Sequence, residues 1–181
     1  LLLSSQFVTE NMPIGTEIGL LTAEDVDSDD SHTFTVVSGS DFVSVSGNRL
    51  LSYESFNFEL SPTYSITIEV SDSGSESMEK SFVMSVIDVN DAPTTMTLSS
   101  VTVTENIDVG SVIGLLSAED ADSVDVHNFS VISGIESVSI SGNQLLSKRV
   151  FDYEFQSTYN VLIQVIDSGG ASITRSFVVS V

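Results

Sequence analysis

Carboxylates dominate the chemistry open to this chain. Of its 181 residues, 26 are Asp or Glu and 5 are Lys or Arg, a formal net charge of −21. Most acids on such a surface only keep it solvated. Several, however, stand in short motifs that occur twice: Thr9-Glu10-Asn11 and Thr104-Glu105-Asn106, Asp25-Val26-Asp27 and Asp120-Ala121-Asp122, Asn57-Phe58-Glu59 and Asp152-Tyr153-Glu154, and Asp72 and Asp167, each followed by Ser and Gly. On an extended segment, residues i and i+2 project to one side, so Asp-x-Asp or Asn-x-Glu presents two ligands to one ion. Calcium takes about 6–8 hard oxygens at about 2.3–2.6 Å, whereas magnesium keeps its waters. Transition metals favour His or Cys, and the chain has 2 His and 0 Cys. His32 and His127 occupy matching positions with no second histidine nearby in sequence and read as structural residues beside the Asp-x-Asp loop. Asp25, Asp27 and Asp29 have the opening spacing of an EF-hand loop, but Asp30 and Val36 stand where that loop needs Gly and Glu.

The same composition excludes other chemistries. A strongly negative surface repels phosphate backbones and anionic lipid, which rules out nucleic acid as a partner. No apolar run reaches the roughly 18–20 residues of a membrane-spanning helix, so this segment inserts into no membrane directly. Without Cys there is neither a disulfide framework nor a thiol nucleophile. No nucleophile elbow or phosphate-cradling Gly-rich loop is present. Paired carboxylates could serve a glycosidase, but their repetition in two copies speaks for ligation. No enzyme is expected.

The elements that hold these carboxylates are repeated too. Each motif recurs at an offset of 95 residues, as from Glu10 to Glu105, with no gap to the end of the chain. A period of that length fits two small domains rather than a solenoid. We place them at 1–93, including a connector at 88–93, and at 94–181. Within each copy the period is two. Tyr64, Ile66, Ile68 and Val70 alternate with Ser65, Thr67 and Glu69, and Tyr159, Val161, Ile163 and Val165 repeat the pattern. Phe82, Met84 and Val86 match Phe177, Val179 and Val181. Alternation puts one strand face in a core and the other toward water. Short strands with turn signals at Ser46-Gly47-Asn48 and Asp72-Ser73-Gly74 predict β-sandwiches. Pro93 closes a connector, Asp88-Val89-Asn90-Asp91-Ala92-Pro93, that is short and stiff rather than a flexible tether.

Together, Val8-Thr9-Glu10-Asn11, Gly15…Gly19, Ala118-Glu119-Asp120-Ala121-Asp122-Ser123, Phe151-Asp152-Tyr153-Glu154 and the connector resemble tandem cadherin repeats, nearest to the cadherin-like repeats of large microbial surface proteins. The resemblance covers nearly the whole chain. It implies an all-β fold: two tandem seven-stranded Greek-key (immunoglobulin-like, cadherin-type) β-sandwiches in an elongated rod. It also implies two or three interdomain Ca2+ ions. Carried over residue by residue, the ligands are Glu10, Asn57, Glu59, the Val89 carbonyl, Asn90, Asp91 and the Ala92 carbonyl from the first copy, with Asp120, Asp122 and Asp167 from the second. A backbone carbonyl within 126–129 completes the set. Asn57 stands where the family has a bridging aspartate, which puts the outermost ion in question. Asp25, Asp27 and Asp72, and at the other end Glu105, Asp152 and Glu154, form weaker half-sites, as expected of a doublet cut from a longer array.

Six carboxylates gathered at one junction would repel by roughly 3 kcal/mol per close pair at ~5 Å and an effective dielectric near 20. Calcium would turn that repulsion into shared coordination. The expected function is a calcium-binding, non-enzymatic structural or adhesive segment of a large extracellular protein, at a cell surface or secreted. Its partners would be neighbouring repeats and a homophilic or heterophilic protein. The alternative is a Ca2+-dependent carbohydrate-binding module with a polysaccharide partner, for which Tyr53 and Phe42, aromatic only in the first copy, are the exposed candidates.

Overall fold

A computed structural model describes residues 1–26, 31–122 and 125–181. Two compact units emerge, Leu1–Val89 and Asn90–Val181. All regular structure among the described residues is β, and the matching stretches 53–60 and 148–155 are irregular and end in turns at 58–60 and 153–155.

The first unit contains β1 (Leu2–Leu3), β2 (Phe7–Thr9), β3 (Glu17–Thr22), β4 (Thr33–Ser38), β5 (Val43–Ser46), β6 (Arg49–Ser52), β7 (Thr63–Ser71) and β8 (Ser77–Ile87). They form two four-stranded sheets, β1-β3-β6-β5 and β2-β8-β7-β4. β1 pairs antiparallel with β3, whereas β2 runs parallel to β8 with Phe7 opposite Ser85 and Thr9 opposite Ile87. Counted as one strand that changes sheets, β1 and β2 give the seven-stranded Greek key that the resemblance implies.

The second unit repeats this plan with β9 (Thr95–Leu98), β10 (Val112–Glu119), β11 (Asn128–Ser133), β12 (Val138–Ser141), β13 (Gln144–Ser147), β14 (Thr158–Ile166) and β15 (Ser172–Ser180). Its sheets are β12-β13-β10-β9 and β11-β14-β15. A single parallel bridge from Thr102 to Ser180 stands where β2 pairs with β8 in the first unit.

The period-two pattern does what it must. Ile66 and Ile68 on β7, Met84 on β8, and Ile163 and Val165 on β14 are fully buried; each such side chain contributes roughly 1.5–3 kcal/mol by leaving water. The same aromatic pair recurs in both cores, Phe56 edge-on to Tyr64 and Phe151 edge-on to Tyr159, both with ring centroids 4.9 Å apart. The repeated Gly19 and Gly114 sit where β3 and β10 change register. A Cβ on Gly114 would lie 2.9 Å from the Ser100 carbonyl, so only glycine admits the crossing chain there.

Candidate metal centre

In the first unit the end of β2 sets Glu10. Asn11 follows with φ of 58°, a left-handed conformation that Asn tolerates better than most residues. The same turn, with Asn106 at φ 61°, follows Glu105. The Glu-Asn motif is thus a carboxylate and the bend that aims it. Glu10 is buried at 1% exposure, and both its oxygens are engaged. Oε2 accepts the Phe58 N–H at 2.8 Å and Oε1 the Val89 N–H at 2.7 Å. The parallel pairing of β2 with β8 brings Asp88, just past β8, beside it. Ligand oxygens of Glu10, Glu59 and Asp88 lie within 4.8 Å of one another. Asn57 uses its Oδ1 to accept the Leu60 N–H at 2.6 Å, closing a local turn. Val89 enters the cluster through its N–H.

In the second unit its first residues, Asn90 and Asp91, are fastened to Asp167 and to the Asp-x-Asp loop. The Asn90 amide donates to Asp167 Oδ2 at 3.1 Å, and the Asp91 N–H donates to Asp122 Oδ2 at 2.8 Å. Ala92 is exposed and Pro93 buried. Asp167 is 4% exposed, and its Oδ1 accepts the Ala171 N–H at 2.8 Å across the β14–β15 turn. Burial alone would raise its pKa. Hydrogen bonds from Asn90 and from the N–H groups of Ala171, Gly170 and Gly169 outweigh that effect and hold it below the ordinary carboxylate value. Asp120 has a side chain only 3% exposed, with His127 Nε2 at 3.2 Å from its Oδ2 and the Asp122 N–H donating to Oδ1 at 3.2 Å. Oxygens of Asp120, Asp125 and Asp167 lie within 4.8 Å of one another. His127 therefore orients a carboxylate, consistent with a structural role.

Two further clusters differ. Glu105, Asp152 and Glu154 also gather within 4.8 Å, but all three are exposed. Glu105 accepts one long hydrogen bond, from the Tyr153 N–H at 3.4 Å. In the first unit, Asp25 and Asp72 line a cavity of about 200 Å³ with Glu24, His32 and Glu76. His32 Nε2 lies 3.9 Å from Asp25 Oδ2, and Asp72 closes its own turn by accepting the Glu76 N–H at 2.9 Å. Asp27 lies outside the described residues.

Sequence reasoning missed two residues. Asp88 heads the connector, but only the β2–β8 register shows that it returns to Glu10. Asp125 had a visible signal, because its counterpart in the first copy is also an aspartate, Asp30. The structure also corrects Phe42, expected to be exposed. It packs edge-on to Tyr64 at 4.8 Å and is half-buried, because Tyr64 offers it a face. Tyr53 is exposed, at 61%.

The donor set fits calcium. It is all oxygen and rich in carboxylates, and one carboxylate oxygen, Asp125 Oδ2, is shut from solvent without a hydrogen-bond partner among the described residues, the condition a hard cation relieves.

This fold and arrangement define a pair of cadherin-type repeats. No family model matches the chain. It is 30% identical to human (Homo sapiens) protocadherin gamma-A1 and 27% identical to human protocadherin gamma-A10, in each case over 92% of this chain and 20% of that protein. The chain thus spans about a fifth of the length of these curated relatives. Among solved structures, extracellular cadherin repeats 1–2 of human protocadherin-24 superpose with a TM-score of 0.74 at 23% identity, covering 96% of this chain and 92% of that one. Repeats 3–6 of protocadherin gamma B2 give 0.68 at 22% identity, covering 99% and 46%. Mouse cadherin-23 repeats 22–24 give 0.65 at 20% identity, covering 97% and 62%. These relatives are cadherins and protocadherins, not enzymes. No helix among the described residues is long and apolar enough to cross a membrane.

Proposed function

We propose that this chain is a calcium-binding, non-enzymatic adhesive segment of a large extracellular protein, its two repeats stiffened by shared Ca2+. One pair of facts carries the proposal. Consecutive residues of the connector dock on carboxylates of different repeats, Val89 through its N–H on Glu10 and Asn90 through its amide on Asp167. Glu10, Asn57, Glu59, Asp91, Asp120, Asp122 and Asp167, with the Asn90 side chain and the Val89 and Ala92 carbonyls, would hold two or three ions. The metal would supply only cross-linking charge. The chain's own residues aim the ligands through turns at Asn11, Asn57 and Gly170.

The partner that fits best is a protein built of similar repeats, and one solved relative, protocadherin gammaB7 repeats 3–6, is described as a cis-dimer. The relatives named above lend no support to the narrower expectation of a microbial surface protein, nor to a polysaccharide ligand.

Calorimetric titration of the metal-stripped chain with calcium, beside Asp122→Ala, tests the proposal. Saturable binding of at least two ions, reduced in the variant, is expected, with X-ray scattering narrowing to one extended form as calcium is added. Absence of binding at millimolar calcium overturns it.

A further inference from the structure

We propose that Asn128 is the attachment site of one N-linked oligosaccharide. Asn128-Phe129-Ser130 is the only Asn-x-Ser/Thr tripeptide in the chain, and its middle residue is not Pro. The proposal rests on the extracellular part of the function proposed above and is independent of calcium.

A tripeptide of this kind does not say whether the folded chain can carry a bulky, solvated sugar. The fold supplies that condition. Asn128 opens β11, at the edge of the sheet β11-β14-β15 among the described residues. Residues i and i+2 of a strand share a face. Asn128 and Ser130 therefore stand side by side on the outer face, both exposed, while Phe129 between them packs against the core. Opposite them on β14 are Ile166 and Gln164, followed on β15 by Ser172 and Thr174. A sugar on Asn128 thus covers a mainly polar surface and displaces no core contact. Neither the Asn128 amide nor the Ser130 hydroxyl has a hydrogen-bond partner among the described residues. Other asparagines are committed to the fold. Asn11 and Asn106 form left-handed turns, and Asn57, Asn90 and Asn143 hold hydrogen bonds through their side chains.

The donor is an oligosaccharide carried on a lipid diphosphate. Asn128 Nδ2 attacks the anomeric carbon, and the new C–N bond forms as the C–O bond to the diphosphate breaks. The lipid diphosphate leaves with the electron pair, one amide proton passes to a base of the transferase, and nothing is oxidised or reduced. The first copy has Thr33-Phe34-Thr35 in the same place, so the sugar would distinguish two otherwise matching sheet faces.

The test is secretion of the complete chain from cultured animal cells behind a cleavable secretion signal. Mass spectrometry should find one oligosaccharide, and its release by an N-glycan amidase should leave the mass of aspartate at position 128. This reading is made on the unaltered chain and does not depend on any variant folding. Asn128→Gln and Ser130→Ala should be secreted without the sugar, whereas Ser130→Thr, which keeps the hydroxyl, should retain it. An unaltered chain secreted bare overturns the proposal, as does a sugar that persists in both Asn128→Gln and Ser130→Ala. Calcium titration of the same secreted chain reports on the proposed function separately, so the failure of one reading is distinguishable from the failure of the other.

Discussion

Glu10 and Glu105 occupy the same place in the two repeats, yet their stability contributions should differ by about 3 kcal/mol. Glu10 is fully buried and accepts two backbone N–H groups at 2.8 and 2.7 Å. Hydrogen bonds to a charged acceptor are each worth about 1.5–3 kcal/mol net, and half of the Glu10 pair involves Val89, whose N–H can rehydrate once released. Removing the carboxylate also withdraws repulsion from Glu59 and Asp88. The exposed cluster of Glu105, Asp152 and Glu154 contains the same number of carboxylates in better-screened surroundings, so the gain is smaller there and trims the difference toward the low end of the two-bond value. Glu105 itself accepts a single bond of 3.4 Å in solvent, worth near zero. Glu10→Ala should therefore cost the first repeat about 3 kcal/mol more than Glu105→Ala costs the second. For domains of this size that is a melting-temperature difference of roughly 10 °C or more. The assay is thermal unfolding of each variant in chelator, with hydrogen exchange of peptides from 63–87 and 158–180 reporting each repeat separately. Equal losses in the two repeats, or a larger loss in Glu105→Ala, would refute the argument.

Two further outcomes are expected. A Cβ at Gly169 would run into the Asn90 side chain, so Gly169→Ala should displace Asn90 from Asp167 and weaken calcium binding several-fold, with little change in melting temperature in chelator; calorimetry beside melting curves separates the two. Burial and the nearby charge of Glu54 raise the Tyr64 phenol above its ordinary 10.0, against a smaller lowering by Ser61. Its contribution to stability is whole below pH 10.0 and is lost as pH rises through the elevated folded value. Tyr64→Phe should remove that alkaline loss from pH-dependent denaturation curves, and an unchanged curve would count against the assignment.

The strands were legible because period-two burial is a local property. Tyr159, Val161, Ile163 and Val165 alternate in sequence and are buried together in the fold. Glu10, Asp120 and Asp167 were legible because each lies in a repeated motif whose neighbours bend the backbone. Asp88 was not, since its approach to Glu10 depends on a parallel pairing between strands nearly eighty positions apart. Asp125 was marked only by its aspartate counterpart Asp30, and nothing local shows that it gathers with Asp120 and Asp167. Phe42 misled because aromatic-to-Ser variation between copies suggests exposure, and nothing local shows that Tyr64 supplies a partner.

The basic side chains explain why cations from solution should govern this protein. Arg49 pairs with Glu17 at 2.5 Å on the surface, where ion pairs contribute little. Lys80 donates to the Leu1 carbonyl at 3.0 Å, and Lys148 to the Ile135 carbonyl at 2.9 Å. Arg149 lies over the Phe155 and Tyr159 rings at 5.6 and 5.5 Å. Arg175 reaches the Met96 carbonyl and lies 5.4 Å from the centre of the Phe177 ring. Four of the five thus serve backbone and aromatic partners within their own repeat, and none of these contacts neutralises the Glu10, Asp120 or Asp167 clusters. The folded state gathers carboxylates that an unfolded chain would hold apart, so any ion that binds only the gathered set stabilises folding by mass action. Stability that rises with calcium, and far less with an equal ionic strength of sodium chloride, is the signature that separates ligation from screening.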